Sequence, residues 1–148
     1  MRRARDLALA ALLLAACGGA GAPGAAASPS PTLAVSERVV AFADAGVTTQ
    51  GPRRVEDPGI EAVRAGNGLR ITAHQGEQRS GGYAIRVERI TRVGNELRVH
   101  ALFISPAPDS MNTMALTYPS HTVTVDEIAD VVVLLDTTGT ERARIRIQ

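Results

Sequence analysis

The sequence predicts an all-β domain, a small antiparallel β-sandwich or β-roll with at most one short helix. Three observations lead there. From Leu33 onward apolar residues recur mainly at every second position, the period of a strand with one buried face. Glycine or proline interrupts that pattern about every eight to twelve residues, the spacing of short strands joined by turns. The 3.6-residue period of an amphipathic helix is nearly absent from the same stretch.

The chain begins differently. Met1-Arg2-Arg3-Ala4-Arg5 is basic, Leu7 to Ala16 is apolar, and the run closes on Leu14-Ala15-Ala16-Cys17, which holds the one cysteine. The apolar run has about half the length a membrane-spanning helix needs, so residues 1–16 read as a cleaved export signal. Leu14 to Cys17 resembles the lipobox of bacterial lipoprotein precursors. That resemblance implies a diacylglyceryl group on the Cys17 thiol, cleavage before it, and acylation (palmitate or similar) of the new amino group. Each buried methylene contributes about 0.8 kcal/mol, so several chains exceed what stable anchoring requires. The mature protein is expected on the cell membrane or the outer membrane, facing the extracytoplasmic side.

Cleavage changes the charge little. The chain carries 16 basic and 15 acidic residues for a net +1; losing three arginines and one aspartate leaves thirteen against fourteen, a net of −1. Without excess positive charge to displace counterions from phosphate, nucleic acid is not an expected partner. All the basic residues are arginine, a bias from which no function follows.

Residues 17–32 join the lipidated cysteine to a tract of Gly, Ala, Pro and Ser that cannot bury apolar surface, and read as a flexible tether. A single β-domain is expected over residues 33–148. Ser36 to Ala43 supplies a first strand through Val39, Val40 and Phe42, and Gly46 to Gly59 reads as a long loop. Ile60 to Ala65 is ambiguous, because Ile60, Val63 and Arg64 have the spacing of one helical turn. The Gly66-Asn67-Gly68 turn launches Leu69 to Ala73, with Leu69, Ile71 and Ala73 on one face. At the far end Val131 to Leu135 pairs with Thr140 to Ile147 across Asp136-Thr137-Thr138-Gly139. Ala143, Ile145 and Ile147 point inward, and Arg142, Arg144 and Arg146 form a solvated outer row rather than a binding stripe.

The hairpin from Tyr83 to Ile104 admits two registers. A two-residue Gly94-Asn95 loop splits its apolar residues over both faces. A three-residue loop, Val93-Gly94-Asn95, gathers Tyr83, Ile85 and Val87 on one face with Leu97, Val99, Ala101 and Phe103. It also sets Arg92 opposite Glu96 and Glu88 opposite His100, so the three-residue loop is expected. Beside Glu88, protonation of His100 would be favoured.

Catalytic constellations are missing from the sequence: there is no Gly-x-Ser-x-Gly elbow, His-Glu-x-x-His or phosphate-cradling glycine loop. His74, His100 and His121 lack short ligand spacing and are expected at surface or edge positions rather than around a metal. No enzyme activity, metal or other cofactor is expected.

Two loops stand out: Gly76-Glu77-Gln78-Arg79-Ser80-Gly81-Gly82-Tyr83 and Leu116-Thr117-Tyr118-Pro119. Gly81-Gly82 suits a tight turn with positive φ. Tyr83 and Tyr118, if they meet at the end of the sheet, either close the core or form a partner-binding patch. From about Leu69 to Asp126 the chain resembles the C-terminal domain of the PrcB protease-complex subunit family, whose members are bacterial lipoproteins. Its marks are a Gly-x-x-x-Ser/Thr-Gly-Gly-Tyr loop, a β-hairpin, a proline-containing connector, here Ser105-Pro106-Ala107-Pro108-Asp109, and a Thr-x-Pro segment. The resemblance implies a lipid-anchored, non-catalytic binding or assembly subunit of an exported protease complex. Candidate partner-binding residues are Arg79, Ser80, Gly81, Gly82, Tyr83, Met111, Tyr118 and Pro119. Two alternatives stand beside it. Ser80-Gly81-Gly82-Tyr83 is similar to a loop element of chagasin-type protease inhibitors, whose other loops carry tryptophan, and this chain has none. The other is a cell-envelope ligand-binding module.

Overall fold

Alternating apolar residues become nine strands in the computed structural model, which describes residues 36–148. The signal, Cys17 and tether expectations lie outside the described residues. In chain order the strands are β1 (Glu37–Val40), β2 (Ala43–Thr48), β3 (Gly59–Ala65), β4 (Gly68–His74) and β5 (Ala84–Val93), then β6 (Glu96–Ile104), β7 (Ser120–Val125), β8 (Val131–Leu135) and β9 (Glu141–Arg146). They form two packed sheets, five-stranded β1-β5-β6-β8-β9 and four-stranded β2-β7-β4-β3, and no helix occurs among the described residues. The fold is a small β-sandwich.

The core lies between the sheets. Leu69, Ile71 and Val123 from one sheet meet Ile85, Ile90, Leu97, Val99 and Leu134 from the other, all at 0% exposure. Each such side chain contributes roughly 1.5–3 kcal/mol by leaving water. The β3–β4 hairpin pairs Ala65 with Gly68 across Gly66-Asn67 and turns Leu69, Ile71 and Ala73 inward, as the alternation predicts. In β9, Ala143 and Ile145 pack on the core with the following Ile147, while Arg142, Arg144 and Arg146 are exposed.

The structure departs from the expected strands, loops and pairings at several points. Ser36 to Ala43 does not form one strand: β1 pairs with β5 and β2 with β7, so one run of chain edges both sheets and crosses between them at Ala41-Phe42. The loop expected from Gly46 starts later, since β2 continues to Thr48 through a bulge at Asp44/Gly46. Ile60 to Ala65 is strand, not a helical turn; it buries Ile60 and leaves Val63 and Arg64 exposed, as an edge strand allows.

The central hairpin turns on two residues, because Val93 pairs with Glu96. A bulge at Glu88 then adds one residue to β5, so pairing beyond it (Val87 with Ala101, Ile85 with Phe103) follows the register expected from a three-residue loop. The bulge lets Ile90 join Ile85 and Val87 inside. Neither expected charge pair forms: Arg92 faces Leu97 and bonds Glu127 at 3.1 Å, and His100 faces Arg89. Finally, β6 and β8 pair parallel, so the sandwich is not wholly antiparallel. Between them the chain passes through β7 in the other sheet, and that crossover returns β8 in the same direction as β6.

Candidate functional site

The strand ends leave three segments, residues 49–58, 75–83 and 105–119, and long-range hydrogen bonds knit them into one cluster. Gln78 and Thr117 exchange backbone bonds at 2.9 Å each, Gly81 N–H donates to Thr113 O at 2.8 Å, and the Thr117 hydroxyl donates to Ser80 O at 3.1 Å. The 49–58 segment joins them through Gly51 N–H, which donates to Tyr118 O at 2.8 Å, and through Glu56 O, which accepts from Glu77 N–H at 3.0 Å. Gln75 N–H donates to Pro119 O at 2.9 Å. These bonds give backbone groups outside the ladders partners in neighbouring loops and so tie down segments that have no regular structure.

Two glycines are required. Gly82 has φ +84° and lies against Pro106 and Asn112; a Cβ there would come within 2.8 Å of Pro106 Cβ. Gly76 has φ +90°, and its Cβ would meet Glu56 O at 2.8 Å. Both combine a left-handed backbone with a close approach that a side chain would block.

The tyrosines play different parts. Tyr118 is 9% exposed; its hydroxyl donates to Glu77 Oε2 at 2.9 Å, and the Arg54 guanidinium lies 5.9 Å from its ring centre. The hydrogen bond to Glu77 leads the influences that hold the Tyr118 phenol above its ordinary pKa. Tyr118 thus closes the base of the cluster, with Pro119 buried beside it, while Tyr83 is half-buried at the mouth of β5. Gly81 and Ser80 are half-buried, and Gly82 and Arg79 are exposed. Met111 is 100% exposed, Met114 89% and Leu116 52%. Met114 and Leu116 are absent from the binding residues expected from sequence, although apolar residues at 111, 114 and 116 within a segment lacking strand period are a signal for them. Glu77, Arg54 and Asn112 were missed because their partners are distant in sequence.

Other polar groups serve the scaffold. His74 and His121 are 2% and 1% exposed, which corrects their assignment to the surface. His121 bridges Val87 and Asp44, and the bond to His121 is the first cause of the lowered Asp44 pKa, followed by Gly46 N–H. His74 Nε2 is buried without a hydrogen bond, 4.0 Å from Glu61 Oε1. Burial depresses the pKa of His74 and His100 alike; for His100 the Arg89 charge adds to it, contrary to the expected stabilisation by Glu88.

The arginine row is largely engaged within the chain: Arg142 bonds Asp136 at 3.0 Å and lies 5.6 Å from the Phe103 ring centre, and Arg144 bonds Glu96 at 2.7 Å and Glu141 at 2.9 Å. Burial opposes ionisation of Glu96, but bonds from Arg98 and Arg144 outweigh it and lower its pKa. Among the described residues no group of three or more His, Cys, Asp or Glu side chains converges on a metal position. Two open depressions, of about 230 and 280 Å³, lie away from the loop cluster, one by Glu96 and Arg144 and one by Arg89 and His100.

Comparison with known proteins bears on this cluster. No curated protein and no solved structure matches the chain. A family model described as PrcB C-terminal matches residues 70–126, which include the 75–83 and 105–119 loops and the hairpin between them, but not the 49–58 loop. Residues 70–126, from within β4 to just past β7, belong to the PrcB C-terminal family.

Proposed function

We propose that the protein is a lipid-anchored, non-enzymatic envelope subunit whose loop cluster docks on a partner, an exported protease or its assembly complex. The observation that carries the reading is the contrast within the cluster. Its backbone is pinned by the Gln78–Thr117 and Gly81–Thr113 bonds, yet Arg79, Met111, Met114 and Leu116 project from it exposed. Large apolar side chains grouped on a rigid loop cluster are characteristic of interaction sites. Membership of residues 70–126 in the PrcB C-terminal family supports a protease complex as the partner. The lipobox-like Leu14 to Cys17 supports the anchor.

Affinity capture of the mature protein from its own envelope, with identification of what co-purifies, tests the partner. A protease or a subunit bound to one is the expected result. A glycan polymer would favour a ligand-binding module instead, and hydrolysis by the purified protein would refute the non-enzymatic reading. For the anchor, Cys17→Ser is expected to abolish lipid labelling; unchanged labelling would contradict it.

A further inference from the structure

The chain has three methionines, and the two beyond Met1 lie three residues apart on the same loop. Between them, Asn112 packs against Gly82 and Thr113 O accepts the Gly81 N–H at 2.8 Å, so the intervening residues face the Gly81-Gly82 turn. Met111 and Met114 are left at 100% and 89% exposure. Cysteine occurs only at position 17, so these two thioethers are the only sulfurs among the described residues.

We propose that Met111 and Met114 form a reversible oxidation site that switches the surface of the loop cluster from apolar to polar and so releases the docked partner. The inference rests on the docking role proposed above. The oxidant is a hydroperoxide such as hydrogen peroxide. A sulfur lone pair attacks one peroxide oxygen, the S–O bond forms as the O–O bond breaks, and the departing hydroxide takes up a proton to leave as water. Sulfur loses two electrons and the peroxide gains them. Reversal takes two thiols through a methionine sulfoxide reductase, giving thioether, disulfide and water. A sulfoxide is strongly polar, so each oxidation removes an apolar contact a partner could bury. The fold has no stake in either side chain.

The test uses the mature lipidated protein in detergent, with the solubilised envelope of its own cells as the probe. Peptide mass spectrometry after mild hydrogen peroxide should find one added oxygen on each of Met111 and Met114, with thermal unfolding unchanged. Cross-linked adduct should fall at least tenfold and return after treatment with the two stereospecific reductases and dithiothreitol. In the Met111→Leu, Met114→Leu double variant, adduct should be the same before and after peroxide, whatever its starting level. Full adduct with both sulfurs oxidised would overturn the switch and leave the docking site standing. Peroxide sensitivity retained in the double variant would also overturn it. No adduct from the reduced wild-type protein would mean that the docking reading has failed, and the switch with it.

Discussion

The backbone N–H of Val87 on β5 donates to Nδ1 of His121 on β7 at 2.7 Å, joining the two sheets through a side chain that is 1% exposed. Because Nδ1 accepts, Nε2 carries the proton and donates to Asp44 Oδ1 on β2 at 3.0 Å. One imidazole therefore ties three strands together, beside the bulge at Glu88. His121→Ala opens a cavity and leaves a buried N–H unpaired, and is expected to cost about 2–4 kcal/mol in urea unfolding. An unchanged midpoint would contradict the inter-sheet tie.

The bulge makes a prediction that distinguishes it from a regular hairpin. Ile85 and Ile90 lie an odd number of residues apart and would face opposite ways in an unbroken strand, yet both are fully buried. Ile85→Ala and Ile90→Ala should each cost roughly 2–5 kcal/mol, and Arg86→Ala no more than about 0.5 kcal/mol. A small effect at Ile90 with a large one at Ile85 would restore the three-residue loop throughout.

Sequence pattern reveals what is local. Leu69, Ile71 and Ala73 show their shared face, Ala143, Ile145 and Ile147 show theirs, and the Gly-Gly-Tyr loop betrays the family, because each is written in adjacent residues. The crossing at Ala41-Phe42 is not so written: Val40 and Phe42 look like one strand, and only the free edges of β5 and β7 divide them. The Glu88 bulge escapes for a similar reason, since the number of residues in a turn and an extra residue further along compensate in the apolar pattern. In the site, the 75–83 and 105–119 loops were legible from their glycines and prolines. The 49–58 segment was legible as a loop but not as part of the site, since the Gly51–Tyr118 and Glu77–Glu56 bonds that recruit it span long separations without a motif.

Acid should weaken the fold in two steps. Burial lowers the pKa of His74, with Glu61 pulling against it, and of His100, with Arg89 assisting. Their folded values lie below the unfolded value of about 6.5, so their contribution is complete above that pH and declines as pH falls through it. The Asp136 carboxyl is held at about 2, first by the Thr138 hydroxyl and also by the backbone N–H groups of Thr138 and Thr140. Its contribution is complete above about pH 4 and is lost as pH falls toward 2. Urea midpoints measured from pH 8 to pH 3 should therefore decline first below about 6.5. His74→Gln and His100→Gln should flatten that first decline, and a histidine titration by NMR with raised values would contradict the assignment.

Gly82 and Gly81 provide a paired test of the turn. Gly82→Ala must force a left-handed backbone against Pro106 and is expected to cost about 1–3 kcal/mol. At Gly81 the nearest atom to an added Cβ is 3.7 Å away, so Gly81→Ala should cost less. Equal effects would mean that the turn is not built as described.

On the function proposed above, the loop cluster rather than the arginine row holds the partner. Adduct formation in cells compares Arg79→Ala and Met111→Ala with the triple replacement of Arg142, Arg144 and Arg146 by alanine. Arg79 and Met111 are exposed, so both single variants should unfold at the wild-type temperature while losing most of the adduct. The triple variant should keep its adduct wherever it remains folded. Adduct that survives both loop variants and vanishes in a folded triple variant would move the interface to β9 and contradict the account.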